Sequence, residues 1–430
     1  MPIRKHRTLL TTQPQTEKAI LVGVVHPPIA AWQVEESVDE LKLLALSAGA
    51  ECVDTIIHKQ ARISPSVFVG QGTAERIGEL TAALDANLVI FDDDLTPAQQ
   101  RNLEEICQVK IVDRTELILD IFAQRARTKE GKLQVELAQL HYRLTRLTGK
   151  GVLMSRLGGG IGTRGPGETK LEVDRRRIRD RVRYLEKAID EIGVYREQQR
   201  SRRKSTHIPI VALVGYTNAG KSTLLNAICN TEVLVEDKLF ATLDPTTRRV
   251  KLPDGETILL SDTVGFIRKL PHDLVAAFRA TLEEVRQADL LLHVVDASHP
   301  YKEDQMLAVE KVLEEIDAAN QPMITVWNKM DKFQDSIETT DRLLHKIPNS
   351  VVISAQEKLG FEALYQAMVN FFSQRWVAIE LVIPHNRTDV ISQLHQIGRV
   401  DRIKYLDKGA RVTAHILAED KHRFSQYIKE

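Results

Sequence analysis

Hydrophobic and polar positions change period repeatedly along the first part of the chain. Ala19–Val25 is an apolar run of strand length, Glu35–Ser47 has helical spacing, and Glu51–His58 returns to a strand pattern. Thr73–Leu84 then reads as a helix, Leu88–Phe91 as a strand, and Val109–Val112 as another short strand. Between the last two, Thr96-Pro97-Ala98-Gln99 opens a helix: Thr96 and Gln99 form a capping box and Pro97 suits the first turn. Strands and helices taking turns at this spacing predict a small parallel α/β domain over residues 19–114, after a polar, loose stretch over 1–18. Gly70-Gln71-Gly72 resembles a dinucleotide turn, but Glu75 stands where the third glycine belongs, so a tight turn before a helix is the better reading. No motif there supports a second nucleotide site.

The pattern changes over residues 115–205. Leu133, Leu137, Leu140, Leu144 and Leu147 are spaced 4, 3, 4, 3, and Leu171, Ile178, Val182, Leu185, Ile189 and Ile192 continue a heptad stripe. Two such stripes joined by a loop predict an antiparallel coiled-coil hairpin with arms of about 25 to 30 residues, a rod reaching roughly 40 Å. The joining loop, 149–168, contains Gly158-Gly159-Gly160-Ile161-Gly162-Thr163-Arg164-Gly165-Pro166-Gly167-Glu168, seven of whose eleven residues are Gly or Pro. No regular element fits that composition, and ordering on contact with a partner is expected.

Beyond the rod, apolar strands near Ile208–Val214, Ile258–Leu260, Leu290–Val295, Met323–Trp327 and Val351–Ile353 alternate with helices over 206–373. The tail, 374–430, reads βαββα: Val377–Ile383, Asp389–Gln396, Val400–Tyr405, Gly409–Ala418 and a helix at Lys421–Lys429. It is a small α+β module whose function the pattern does not give.

Chemistry enters after the strand ending at Val214. Gly215-Tyr216-Thr217-Asn218-Ala219-Gly220-Lys221-Ser222 is a G-x-x-x-x-G-K-[ST] phosphate loop, followed by a helix from Ser222 through Thr223 to Cys229. Its amides curl around one anion, Lys221 reaches the β- and γ-phosphates, and Ser222 ligates Mg²⁺. Asp262-Thr263-Val264-Gly265 has the D-x-x-G form: Asp262 supports the metal indirectly and the Gly265 amide meets the γ-phosphate. Asn328-Lys329-Met330-Asp331 has the N-K-x-D form, in which Asp331 accepts from guanine N1 and N2. Adenine would leave that carboxylate unpaired, a mismatch that discriminates by about 10⁴ or more. Ser354-Ala355-Gln356 follows the last strand and faces the guanine O6 edge. Four elements in this order predict GTP as the nucleotide, with Lys221, Thr242 and Gly265 as the groups closest to the chemistry. Thr242, within Phe240-Ala241-Thr242-Leu243-Asp244, is the expected switch threonine and second Mg²⁺ ligand, with Thr246 and Thr247 as rivals. Phe266 follows Gly265 where Ras-like enzymes carry a water-orienting glutamine, so slow unaided hydrolysis is expected. Arg268 is nearby and reads as a surface charge; no arginine finger is assigned.

Composition adds two constraints. The chain of 430 residues is neutral, yet Glu116 to Lys204 carries 22 Lys and Arg against 12 Asp and Glu. Arg175, Arg176, Arg177, Arg179, Arg181 and Arg183 cluster just after the loop. Such a run is ordinarily a solvated helix face, but its coincidence with a projecting rod and a pliable tip favours nucleic-acid phosphate. Only Tyr142 and Tyr184 interleave, which points to backbone and shape contacts over base stacking. Cys52, Cys107 and Cys229 are scattered and read as reduced thiols, no apolar run has membrane-spanning length, and Ala19–Val25 is too short for a signal peptide. A cytoplasmic monomer is expected.

Several longer strings carry a resemblance. They are Gly158 to Gly162, Gly165-Pro166-Gly167-Glu168-Thr169, Asp174-Arg175-Arg176, and the run from Asp113-Arg114-Thr115 to Ala138. Phe240 through Thr246 and Asp262-Thr263-Val264-Gly265-Phe266-Ile267-Arg268-Lys269-Leu270-Pro271 belong with them. On these the chain resembles the HflX family of ribosome-associated GTPases, in the Obg–HflX group of translation-factor-class GTPases, from about residue 20 to the end. The resemblance implies binding to the large ribosomal subunit when GTP-loaded and splitting of stalled ribosomes under stress. It also implies that the N-terminal domain and hairpin approach rRNA of the peptidyl-transferase region, which fits the basic rod and pliable loop; Arg164, Arg175, Arg176, Arg177 and Arg179 are the candidate RNA contacts. Asn218 coincides with the asparagine of potassium-activated relatives, which makes K⁺ a candidate cofactor beside Mg²⁺. The alternative is a GTP-dependent switch acting on a protein partner or a non-ribosomal RNA, with the rod as a coiled-coil interface.

Overall fold

The structure is a computed structural model describing residues 16–147, 170–204, 208–229, 239–240, 242–269, 279–333, 336–374, 376–406 and 409–428. The glycine-rich loop with Arg164, Ala241, and residues 1–15 of the expected loose start lie outside them. The first unit has β1 (Lys18–Val25), α1 (Ala31–Ala48), β2 (Glu51–Lys59), α2 (Gln71–Ala83), β3 (Leu88–Phe91), α3 (Pro97–Cys107) and β4 (Lys110–Asp113). Its strands form one parallel sheet in the order β2-β1-β3-β4. The apolar run of β1 is explained by cover on both faces. Ala19 and Leu21 pack with Val34, Val38 and Leu41 of α1, while Ile20, Val22 and Val24 pack with Ala74 and Ile77 of α2. Helix α3 starts at the expected cap: Thr96 Oγ1 accepts from the Gln99 amide at 3.3 Å, and Gln99 Oε1 accepts from the Thr96 amide at 2.9 Å. Gly70 is the N-cap of α2, with Gln71 and Gly72 in its first turn.

After β4, α4 (Arg114–Arg125) packs on α1 through Ile118, Ile121 and Phe122. Then come α5 (Lys129–Arg146) and α6 (Lys170–Lys204), which meet along Leu137, Val182 and Leu185, flanked by Leu133, Leu140, Ile178 and Ile189. The two arms are unequal, 18 and 35 residues, so the longer spans about 50 Å.

The next unit has β5 (Ile210–Val214), α7 (Lys221–Cys229), β6 (Thr246–Lys251), β7 (Thr257–Asp262), α8 (Arg279–Arg286), β8 (Leu290–Asp296), α9 (Lys302–Glu315), β9 (Met323–Asn328), α10 (Ser336–Lys346), β10 (Ser350–Val352) and α11 (Phe361–Ser373). Its sheet runs β10-β9-β8-β5-β7-β6, parallel except for the edge strand β6. The tail holds β11 (Trp376–Ile383), α12 (Thr388–Ile397), β12 (Gly398–Leu406) and β13 (Gly409–Leu417) in an antiparallel sheet ordered β11-β13-β12. Where a final α-helix was expected, Ala418–Tyr427 is 3₁₀.

The first two units share one apolar core. Ala212 and Val214 of β5, with Tyr216, Phe240, Leu243, Phe266 and Ile267, belong to the same buried cluster as Leu41, Leu44, Ile118 and Phe122.

Candidate nucleotide-binding site

The glycine-rich segment turns from β5 into α7 at the carboxyl ends of parallel strands, where open α/β sheets place ligands. Gly220 has φ +96°, and a Cβ on it would lie 2.2 Å from Asn328 Nδ2, so only glycine fits. Asn218, at φ +59°, turns its exposed side chain outward, and Ala219 is buried beneath. Lys221 is buried, its Nζ donating to the carbonyls of Gly215 at 2.9 Å and Tyr216 at 2.8 Å. Burial lowers its ammonium to about 8, with Asp262 working in the opposite direction. Thr223 is half-buried in the first turn of α7.

Three oxygen side chains converge beside Lys221. Ser222 Oγ donates to Asp262 Oδ2 at 2.6 Å, Thr242 Oγ1 donates to the same atom at 2.8 Å, and the two hydroxyls lie 2.9 Å apart. The other carboxylate oxygen, Oδ1, is buried without a hydrogen-bond partner. Burial raises the Asp262 carboxyl, countered by Lys221 and the two hydroxyls. An oxygen-only donor set with an orphaned carboxylate oxygen fits a hard divalent ion such as Mg²⁺. Of the three candidate threonines, Thr242 is the one at this cluster. Thr246 and Thr247 open β6, and Thr247 Oγ1 lies 3.3 Å from Ser261 Oγ.

The segment after β7 is pinned to the phosphate turn. Thr263 Oγ1 donates to the Leu213 carbonyl at 2.6 Å, and Val264 is buried. A Cβ on Gly265 would approach Thr217 Cα at 2.9 Å and Lys221 Nζ at 3.2 Å. The Phe266 amide donates to Gly215 O at 3.1 Å, and Phe266 O accepts from the Thr217 amide at 2.7 Å. The Phe266 ring points into the shared core.

On the base side, Asn328 staples two loops: its Nδ2 donates to Ala219 O at 2.9 Å and its Oδ1 accepts from the Ala355 amide at 2.9 Å. Lys329 takes a left-handed backbone (φ +66°) and pairs with Asp296 at 2.8 Å. Met330 is buried, and its amide donates to Ile353 O at 3.3 Å. Asp331 Oδ1 accepts from the Ser354 hydroxyl, which in turn accepts from the Glu357 amide at 3.1 Å. Ala355 is buried and Gln356 exposed.

Other contacts were not visible from spacing. Tyr216, expected only to line phosphate, is buried, and its hydroxyl accepts from the Arg268 amide at 2.9 Å. Arg268, read as a surface charge, pairs with Glu36 of α1 at 2.6 Å and Asp304 of α9 at 3.7 Å, its side chain only 20% exposed. Lys269 bonds Asp92 and Asp93, both at 2.6 Å. Asp92 also accepts from Ser37 and Arg114, each at 2.7 Å, and Arg114 reaches Glu40. Phe240 and Asp244 dock on α4 and on the start of α5. No local motif signals these partners, because each is distant in sequence.

On α6, Arg176, Arg177 and Arg179 are exposed and Arg175 is half-buried. Arg177 lies 3.9 Å from Asp174, and Arg181 pairs with Glu136 at 2.8 Å.

A phosphate turn at the ends of parallel strands, next to a guanine-type loop on β9, places this fold among the P-loop GTPases. A family model described as GTP-binding GTPase N-terminal matches residues 35–123, one described as GTP-binding GTPase middle region matches 125–203, and one described as 50S ribosome-binding GTPase matches 210–329. The chain is 48% identical to the GTPase HflX of Caldanaerobacter subterraneus, over 96% of this chain and 94% of that relative. It is 47% identical to the GTPase HflX of Escherichia coli over 90% of each chain. Among solved structures, SsGBP in complex with GDP is 24% identical with a TM-score of 0.47, covering 84% of this chain and 99% of that one. The chain belongs to the HflX family of GTPases. It is a GTP hydrolase, and GTP hydrolases of this family usually work with Mg²⁺. Among the described residues, no helix is long and apolar enough to cross a membrane.

Proposed function

We propose that this GTPase grips the large ribosomal subunit in its GTP state, releases it after hydrolysis, and so splits stalled or idle ribosomes under stress in the cytoplasm. The observation that carries this reading is α6, a helix of 35 residues presenting Arg176, Arg177 and Arg179 to solvent. The description of the matching model over 210–329 supports it. In this reading the hairpin and the loop that joins its arms enter rRNA near the peptidyl-transferase region.

At the nucleotide, the amides of the turn from Asn218 to Thr223 cradle the phosphates and Lys221 sits on their β- and γ-oxygens. Ser222 and Thr242 hold Mg²⁺, with Asp262 orienting both hydroxyls; the ion, when bound, neutralises charge on the phosphate oxygens. The Gly265 amide meets the γ-phosphate, and Asp331 with Ser354, Ala355 and Gln356 reads guanine. Asn218 would contribute to a K⁺ site beside the phosphates. Phe266, with its ring in the core, leaves no side chain at its position to orient water, so unaided turnover is slow and the ribosome raises it.

The test is GTP hydrolysis by the purified full chain, with and without large subunits, at low and physiological salt and in K⁺ or Na⁺. We expect strong stimulation that drops by about tenfold or more at the higher salt, since phosphate contacts release counterions. Equal rates in the two cations remove the K⁺ role. Absence of stimulation beside intact GTP binding would favour a switch acting on a protein partner, for which the exposed Tyr184 and Val194 of α6 offer apolar contacts.

A further inference from the structure

Thr242 is held from both sides by residues outside the nucleotide unit. Downstream, Asp244 Oδ2 accepts from the amides of Arg127 at 2.8 Å and Thr128 at 2.9 Å, and Oδ1 accepts from the Thr128 hydroxyl. Thr128 is the N-cap of α5, its Oγ1 accepting from the Gly131 amide at 3.0 Å. The seat is shaped for the carboxylate: a Cβ on Gly131 would lie 2.5 Å from Asp244 Oδ1. Upstream, the buried Phe240 ring stands edge-on to Phe122 of α4 at 4.7 Å, and the Leu239 amide donates to Ser47 Oγ of α1 at 3.0 Å.

An anion on helix-terminal amides is stabilised both by charge-assisted hydrogen bonds and by the helix dipole. Two residues of chain span at most about 7 Å. Once Asp244 is seated, Thr242 therefore has little room to leave Ser222 and Asp262.

We propose that Asp244 is a positioning residue for GTP hydrolysis, anchored on the N-terminus of α5 so that the Thr242 hydroxyl stays at the Mg²⁺ site. This rests on the reading of Thr242 as a ligand of that ion. Asp244 acts only through Thr242, so it matters to the state that uses Thr242, with a γ-phosphate present, and not to GDP. Coupling is reciprocal, so loading with GTP also firms the first turn of α5.

The test compares binding of a non-hydrolysable GTP analogue and of GDP by calorimetry in Mg²⁺, using the full chain. Asp244→Ala is expected to weaken the analogue about tenfold, the scale of one charge-assisted hydrogen bond, and to leave GDP unchanged. Thr128→Ala should move the same ratio in the same direction and Thr128→Ser should restore it. This pair decides the matter if Asp244→Ala does not fold. In hydrogen exchange, the analogue should slow the Gly131 amide relative to GDP in the natural chain but not in Asp244→Ala. Equal weakening of both nucleotides, or no change in the ratio, overturns the proposal. Thr242→Ala separates the two layers. If it lowers the ratio while Asp244→Ala does not, only the positioning role falls; if it leaves the ratio alone, the Mg²⁺ reading falls as well.

Discussion

Lys221 is buried with its ammonium on two backbone carbonyls, and burial brings its titration down from 10.5 to about 8. Below about pH 8 the folded protein carries this charge; above it the folded chain gives up the proton while the unfolded chain keeps it to 10.5. Nucleotide phosphates favour the ammonium, so binding above pH 8 must take a proton back, and affinity declines as pH rises. Calorimetry in buffers of different ionisation enthalpy should show almost no proton uptake at about pH 7 and a clear fraction of a proton at about pH 8.5. Equal uptake at both would refute this. At this scale the sequence is most readable. Gly220, Lys221, Ser222 and Asp331 announce themselves because a phosphate or a base must be met by particular groups at short spacing. Asn328 is a half-exception: its motif is visible, but its job, joining Ala219 to Ala355 across the site, is not.

Among the elements, those with a strong period were legible and those without were not. The leucine stripe of α5 and the heptads of α6 meet as expected, with Leu185 fully buried between the arms. Leu185→Ala should cost about 2–5 kcal/mol. The seam is a small cluster of its own, so the loss should be local: amide exchange in α5 and α6 accelerates by about 30-fold or more while the two parallel sheets keep their protection. Loss of protection throughout would show that the hairpin is part of the main cooperative unit. Strand β6, Thr-Thr-Arg-Arg-Val-Lys, escaped the sequence reading because an edge strand solvated on one side has almost no apolar signal. Helix α1 begins at Ala31, four residues before the expected Glu35; Ala30 brings no capping side chain to mark that start in the sequence, and its amide is satisfied by Gln33 Oε1 at 3.0 Å.

For the molecule as a whole, the first and second units are joined by an apolar core and by a buried charge network. Asp92, Arg114, Glu40 and Lys269 tie α1, the end of β3 and the start of α4 to the segment after β7. Burial alone would raise Asp92, but Arg114 and Lys269 outweigh it and hold the carboxyl below its ordinary range. Asp92→Ala strands Arg114, which is 1% exposed, with less compensation, and should cost about 3–5 kcal/mol in chemical denaturation of the full chain. A loss below 1 kcal/mol would mean that Glu40 suffices for Arg114. None of this was readable in advance: Lys269 and Asp92 lie 177 residues apart, and Asp244 and Thr128 lie 116 apart. Charged residues at such separations look like ordinary surface until the fold brings them together.

The docking of the Thr242 segment on α4 and α5, and of Lys269 on Asp92 and Asp93, makes the first part of the chain a resident competitor. Covalent tethering keeps such a rival at an effective concentration on the order of millimolar. An outside protein or RNA that needs the surface under Asp244 or Lys269 must bind more tightly than that, or arrive already anchored through the arginines of α6. Stray partners meet an occupied seat, and the chain gains selectivity from a contact that it makes with itself.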